Sequence, residues 1–103
     1  MEKKKPHYDL ATIQADVARL GASAFTKTAM DGGRALGLST TAMLQVISKL
    51  SRKDFYKSMT THADHKIWQD VYYPTLPSGV ELYVKVTYRL QGPPVISFKR
   101  RTE

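Results

Sequence analysis

The spacing of apolar residues changes after Leu50, and this change limits the folds that the chain can adopt. In 10–20 the apolar residues recur three and four positions apart, which is the spacing of one face of an α-helix. In "VELYVKVTYRL" (80–90) they alternate with other residues, as in a strand that buries one side. Helices followed by consecutive strands predict an α+β fold, in which N-terminal helices pack on an antiparallel sheet.

Capping residues and glycines give the predicted helix boundaries. Asp9 caps the first helix and Gly21 ends it, because a short polar side chain accepts from free N–H groups and glycine readily adopts the left-handed backbone. A second helix is predicted over 27–37, and Ser39 caps a third. Between the first two helices, 22–26 is predicted as a short strand or an extended linker.

The second half of the chain contains four segments with the pattern of strands. They are "DFYKSMTT" (54–61), "IWQDVYY" (67–73), the segment 80–90 and "VISFKR" (95–100). In 80–90, one apolar row is predicted to run from Val80 to Leu90, with Tyr83 and Lys85 on the opposite side. Polar and glycine-rich turns separate the segments, so the strands are predicted to pair as consecutive hairpins.

Alternation also assigns sides in the last of these segments. Ile96 and Phe98 are predicted to lie in the core. Ser97 and Lys99 would then face outward, because successive side chains of a strand point to opposite faces.

Lys57 stands among apolar residues in 54–61. Alternation places it on the same side as Phe55 and Met59, and places Tyr56 with Ser58. Burial among such neighbours would lower the pKa of a lysine and make it a better proton acceptor. The alternative is a lysine whose stem crosses apolar neighbours while its ammonium group stays in water. The sequence leaves both alternatives open.

Composition excludes several classes of chemistry. The 103 residues include no cysteine, so disulfides and Cys-ligated metal sites are excluded. His62, Asp64 and His65 make an incomplete metal site, and no metal or cofactor is predicted. The chain has no apolar segment with the length of a signal peptide or membrane span. One cytoplasmic domain over 1–103 is therefore expected.

Positive charge indicates a polyanionic partner. Lysine and arginine outnumber acidic residues by 16 to 9, for a net charge of +7, which is typical of nucleic-acid binders. Tyr83 beside Lys85 suits stacking on a base and contact with a phosphate, although ordinary packing explains this pair equally well. Lys99, Arg100 and Arg101 either follow a phosphate backbone or form a solvated run of charge.

Three segments together indicate a family. "PHYDL" (6–10), "DFYKSMTTHADHKIWQDVY" (54–72) and "VISFK" (95–99) resemble the MqsR-type toxins, the motility quorum-sensing regulator mRNA interferases, within the RelE-like group of small bacterial ribonucleases. The resemblance spans nearly the whole chain. It implies a RelE-like α+β fold with N-terminal helices on a curved, mainly antiparallel sheet. It also implies cleavage of mRNA at GC-containing triplets without metal or ribosome, which inhibits translation and growth.

The resemblance also implies a set of site residues. The family's functional lysine, glutamine, strand tyrosine and late-strand lysine fall on Lys57, Gln69, Tyr83 and Lys99. Tyr56 and Met59 match positions that line the same surface. We therefore predict that Lys57, Gln69 and Tyr83 are catalytic. The predicted RNA-binding residues are Tyr56, Met59, Lys85, Lys99 and Arg100.

Metal-free cleavage of RNA proceeds by attack of a 2′-hydroxyl on the adjacent phosphate, so it needs a proton acceptor, charge stabilisation and a proton donor. Lys57 is predicted to be the general base or the charge stabiliser. The resemblance further implies a cognate MqsA-like antitoxin, with a zinc-binding part and a helix-turn-helix part, that regulates transcription together with the toxin. The alternative is a non-catalytic module that binds RNA or the antitoxin.

Overall fold

Three α-helices pack on one side of a five-stranded sheet in residues 1–102, the range that the computed structural model describes. The helices are α1 (Leu10–Leu20), α2 (Lys27–Ala35) and α3 (Thr40–Ser48). The strands are β1 (Glu2–Lys3), β2 (Phe55–Thr60), β3 (Trp68–Tyr72), β4 (Leu82–Thr87) and β5 (Val95–Arg100). Their order in the sheet is β1-β2-β3-β4-β5, and every neighbouring pair is antiparallel. The predicted α+β fold is confirmed.

The helix boundaries follow the predicted caps. Asp9 accepts from the backbone N–H of Thr12 at 3.1 Å, and Ser39 caps α3 in the same way. Gly21 ends α1 with a φ of 60°, a conformation that costs glycine little. The segment after it is a 3₁₀ turn followed by one isolated bridge from Phe25 to Val95. The prediction of a strand or an extended linker over 22–26 was therefore wrong for 22–24, whereas Phe25 and Thr26 are extended.

The core lies between the helices and the inner face of the sheet, which is the side turned toward them. Its largest fully buried members from the sheet are Tyr72, Leu82, Val84, Val86, Val95 and Phe98. Gly32 allows α2 to approach β5, because a Cβ at this position would collide with the carbonyl oxygen of Phe98. A Cβ on Gly33 would similarly collide with Met43 of α3. These two glycines weaken α2 by themselves but permit close packing on both neighbours.

A bulge in β2 changes the faces that simple alternation predicts. Phe55 pairs with Tyr72 of the inner face, whereas Lys57 pairs with Val71, and the register shifts between them. Lys57 therefore shares a side with Met59, as predicted, but not with Phe55. The predicted placement of Phe55 on the same side as Lys57 was wrong. The extra residue of a bulge causes such a change of face.

Tyr56, the residue inside this bulge, was also predicted on the wrong side. It stacks on Tyr73, with ring centroids 4.6 Å apart. Ser58 is fully buried against Asp70 on the inner side of the sheet. The bulge thus brings Tyr56 and Lys57, which are adjacent in sequence, to the same surface.

Two further predictions about the strands were wrong. β5 shifts register between Ser97 and Val95, so Val95 takes the core position predicted for Ile96, which is only partly buried. β4 ends at Thr87, and Leu90 is fully exposed in the following turn. The predicted apolar row therefore stops before Leu90.

Strand β1, which the sequence did not predict, covers the edge of β2. Glu2 pairs with Met59 and Lys3 pairs with Ser58. The segment that follows is fixed by the buried carboxylate of Asp70, which accepts from the backbone N–H of His7 at 3.0 Å and of Tyr8 at 2.9 Å. Across residues 1–102, the helices are too short or too polar to cross a membrane.

Candidate functional site

The side of the sheet turned away from the helices, here called the outer face, collects most of the predicted site residues. Its members are Tyr56, Lys57, Met59, Gln69, Val71, Tyr73, Tyr83, Lys85, Lys99 and Arg101. Arg100 is not among them, because it pairs with the core residue Leu82 and paired residues project to the same side of a sheet. Seven of the eight predicted site residues therefore share one surface.

The centre of the outer face is a row of paired residues across β2, β3, β4 and β5. Lys57 pairs with Val71, Val71 with Lys85, and Lys85 with Ser97. Val71 is fully buried although it lies on the outer face, and Lys57 and Lys85 are its partners on the two neighbouring strands. The two amines consequently lie on either side of one small apolar residue.

Lys57 is an ion-paired ammonium. Its Nζ donates to Oε2 of Glu2 at 2.9 Å, and its side chain is 21% exposed. The hydrogen bond from Lys57 to Glu2, more than the opposing effect of burial, raises the pKa of Lys57 above its ordinary value. The alternative of a lowered pKa was therefore wrong, because the sequence gives no sign that Glu2, 55 positions away, reaches this lysine.

Lys85 has the opposite electrostatic environment. Its side chain is partly buried in the sheet, and burial, followed by the charge of Lys99, lowers its pKa. The sequence suggested both a lowered pKa and a stabilising charge for Lys57 alone. In the structure, Lys57 keeps the charge and Lys85 has the lowered pKa. The sequence feature that could have identified Lys85 as a partly buried lysine is its position in a strand between two other strands, each of which contributes a residue to the same row.

Stacked and tilted tyrosines occupy one end of the outer face. Tyr73 stacks on Tyr56 with an interplanar angle of 20°, and its centroid lies 5.9 Å from that of Tyr83. Burial raises the pKa of the Tyr83 phenol, which keeps this group protonated. Lys99 Nζ lies 5.3 Å from the Tyr83 ring centroid, and the Arg101 guanidinium carbon lies 4.2 Å from that of Tyr73.

Gln69 lies at the other end of the same face. It pairs with Met59 on β2 and with Thr87 on β4. It lies four positions from Tyr73 in the sequence, which places it about 13 Å from the tyrosines along the strand. Gln69 and Tyr83 therefore share a face but flank the lysine row from opposite ends.

The histidines lie outside this surface. His62 and His65 belong to the turn between β2 and β3, where Asp64 accepts from the backbone N–H of Lys66 at 2.8 Å. His7 stacks on Trp68, on the side of the sheet opposite the outer face. Within residues 1–102, His, Cys, Asp and Glu form no group of three that could hold a metal ion.

The fold and this surface define a small basic α+β protein whose open sheet presents amines, an amide and phenols on one side. The family model described as "Motility quorum-sensing regulator, toxin of MqsA" matches residues 5–100. The chain is also 42% identical over 101 residues to the mRNA interferase toxin MqsR of Escherichia coli (strain K12), covering 98% of this chain and 100% of that protein. The chain therefore belongs to the MqsR toxin family.

Proposed function

We propose that this protein is an endoribonuclease toxin that cleaves mRNA and is neutralised by an antitoxin. The observation that supports the proposal most directly is the outer face. There Lys57, whose pKa is raised, and Lys85, whose pKa is lowered, lie on the same surface as the protonated phenol of Tyr83. The likeness to an mRNA interferase toxin over nearly the whole chain supports the same reaction. The surface is positively charged and carries aromatic rings, which suits a single-stranded polyanion.

The reaction begins with proton transfer from the 2′-hydroxyl to a free amine. The 2′-oxygen then forms a bond to phosphorus, the bond from phosphorus to the 5′-oxygen breaks, and the leaving oxygen takes up a proton. The products are a 2′,3′-cyclic phosphate and a 5′-hydroxyl end. Lys85 is the better acceptor, because its lowered pKa makes the free amine more accessible near neutral pH.

Lys57 acts in this scheme as a permanent cation. Its raised pKa keeps the ammonium charged, and a fixed positive charge stabilises the phosphoryl oxygens as negative charge develops on them. Lys99 adds a second cation, and the Tyr83 phenol donates the proton or hydrogen bond for the leaving oxygen. Of the two roles predicted for Lys57, the charge stabiliser is therefore favoured.

Gln69 serves the substrate at a neighbouring nucleotide. Gln69 lies about 13 Å from the tyrosines along the strand, so it contacts a different part of the RNA from the leaving oxygen that Tyr83 contacts. An amide can donate and accept at the same time, which suits a 2′-hydroxyl or a base edge. Met59 pairs with Gln69 and supplies an apolar contact beside it.

The finer features come from the family resemblance. We propose cleavage at GC-containing triplets without ribosome or metal in the cytoplasm, and a RelE-like relationship. We also propose an MqsA-like antitoxin that binds zinc and DNA and regulates transcription with the toxin. Arg100, outside the outer face, is retained as a predicted RNA contact. A non-catalytic module that binds RNA is the second candidate, because stacked tyrosines and cations serve binding alone equally well.

Mapping the ends of cleaved RNA tests the proposal. Purified protein is incubated in EDTA with a defined single-stranded RNA, and we expect discrete cuts that leave 2′,3′-cyclic phosphate. Lys57→Ala should lower the cleavage rate by ~10²–10³-fold, the loss typical of removing one electrostatic stabiliser, whereas Lys27→Ala, on the exposed surface of α2, should retain it. A mobility shift without cuts would favour the binding module, and equal rates for the two variants would remove Lys57 from the mechanism.

A further inference from the structure

A cleft of about 200 Å³ opens at the tyrosine end of the outer face. It is lined by Tyr73, Tyr83, Lys99, Arg100, Arg101 and Thr102. Its volume lies below the ~300 Å³ at which pockets for drug-sized ligands begin. The space therefore suits one ring system and is too small for a helix or strand of a partner protein.

The aromatic walls of the cleft are planar and held in place. Tyr73 is stacked on Tyr56, and the Arg101 guanidinium also lies against its ring. Arg101 is itself fixed, because its Nη1 lies 3.6 Å from Oε2 of Glu81 and its backbone N–H donates to the Glu81 carbonyl at 2.9 Å. Tyr83 is tilted by 44° relative to Tyr73, so the two rings form a wedge.

The polar groups of the cleft are donors. Nε of Arg101 is buried and has no hydrogen-bond partner in residues 1–102, which is rare for a buried donor. Lys99 places a second cation near the Tyr83 ring. A ligand that presents acceptor atoms at the edge of a flat ring would use both the donors and the walls.

We propose that this cleft is the subsite for one unstacked nucleobase of the RNA, next to the cleaved phosphate. The proposal rests on the proposed function and adds the position at which the enzyme reads its substrate. Tyr73 and Arg101 become specificity-determining residues, although Tyr73 was not predicted as a site residue and Arg101 was considered only as part of a basic run along a phosphate backbone. Tyr83 joins the subsite to the reaction, because its ring forms one wall and its phenol serves the leaving oxygen.

The position of the cleft relative to the lysine row supports this assignment. Tyr83 is two residues from Lys85 on the same face of β4, about 7 Å along the strand. A base held in the cleft, against the Tyr83 ring and the Arg101 guanidinium that lies on Tyr73, would therefore bring its own ribose and phosphate toward the amines. Single-stranded RNA is commonly recognised by unstacked bases that lie on aromatic rings.

The test compares RNAs that have or lack one base. A defined substrate is prepared with an abasic nucleotide on either side of the cleaved phosphate, and kcat/KM is measured for each RNA. In the unaltered protein, loss of the base in the subsite should lower kcat/KM by about 10-fold or more, the range found for base–aromatic stacking. In Tyr73→Ser the same base removal should change kcat/KM by less than about 3-fold. Tyr73→Phe, which keeps the ring, should restore the effect of the base.

A second variant covers the possibility that Tyr73→Ser does not fold. Arg101→Gln should also reduce the effect of removing the base, whereas Arg19→Gln, an exposed residue of α1, removes the same charge and should leave the effect intact. An equal loss on base removal in the unaltered protein, Tyr73→Ser and Arg101→Gln would overturn the subsite.

The subsite and the reaction can fail separately. If no RNA is cleaved, the proposed function fails, and the subsite is then judged by binding of the same RNAs. For that purpose 2-aminopurine replaces the base, since its fluorescence falls on stacking. Quenching that Tyr73→Ser relieves would support the subsite, and unchanged fluorescence on binding would contradict it.

Discussion

The two central lysines show how neighbouring side chains assign different chemistry to one residue type. Lys57 is held as an ammonium by Glu2, whereas burial and Lys99 favour the free amine of Lys85. Both lysines pair with the same buried valine, Val71, from the strands on either side of it. A charge stabiliser and a proton acceptor can therefore share one site while keeping opposite protonation preferences.

Lys85→Arg separates charge from proton transfer. Arginine keeps the positive charge but does not lose its proton in proteins, so we expect cleavage to fall by ~10²–10⁴-fold while RNA affinity is retained. The matched variant Lys57→Arg should keep more activity, because a fixed cation is the property required there. Single-turnover cleavage and binding of an RNA with 2′-O-methyl groups measure the two effects. Cleavage by Lys85→Arg at the original rate would exclude Lys85 as the acceptor.

The dependence of the rate on pH has a defined sign in this scheme. A lysine with a lowered pKa becomes a free amine at lower pH than an ordinary lysine, so the cleavage rate should rise through the pKa of Lys85 and then level off. Lys57 remains charged over that range because its pKa is raised. A rate that falls as pH rises through neutrality would contradict this assignment.

Among the structural elements, β1 depends on one buried carboxylate. Asp70 is fully buried and accepts from two backbone N–H groups and from the Ser58 hydroxyl, the latter at 2.6 Å. The segment that connects β1 to α1 is thereby attached to β3. Because β1 carries Glu2, this attachment also places the carboxylate that pairs with Lys57.

Asp70→Ala should destabilise the protein strongly. The replacement leaves buried donors without an acceptor, each at a cost of about 1–3 kcal/mol, so the free energy of unfolding should fall by about 3 kcal/mol or more. Urea unfolding measures the change, and Asp31→Ala provides the control, because Asp31 forms an exposed pair with Lys27 of small expected value. A loss below about 1 kcal/mol would show that water replaces the carboxylate.

The elements differ in how well the sequence predicts them. The first and third helices were predicted through their N-caps, and the strand predicted over 80–90 through alternation contains β4 (82–87). The bulges in β2 and β5 add a residue without any turn residue to mark it, so the faces assigned to Tyr56 and Ile96 were wrong. β1 is two residues long, which is too short to show any period.

The candidate site was predictable to the same limited degree. The family resemblance named Lys57, Gln69 and Tyr83, and the structure gives them one face. The pKa of Lys57 was not predictable, because its partner Glu2 is distant in sequence. Tyr73 was not recognised either, since its environment depends on the β2 bulge and on Arg101 beyond β5.

At the scale of the whole molecule, charge is placed where the sheet is open. The helices cover the inner face, so the outer face is the broad surface of the sheet left for a ligand, and Lys57, Lys85 and Lys99 all lie on it. The net charge of +7 attracts RNA from any direction. Only residues that touch phosphates, however, release counterions on binding and so determine the salt dependence.

The salt dependence of binding therefore distinguishes contact from overall charge. For single-stranded RNA, each phosphate contact contributes about −0.7 to the slope of log K against log salt concentration. Phosphate contacts from the two cations of the scheme, Lys57 and Lys99, predict a slope of about −1.4, measured by fluorescence anisotropy with a 2′-O-methyl RNA that cannot be cleaved. Lys99→Gln should make the slope less negative by about 0.7, while Lys27→Gln, with the same loss of charge on α2, should leave it unchanged. Equal slopes for both variants would mean that RNA binds through diffuse charge and not through the outer face.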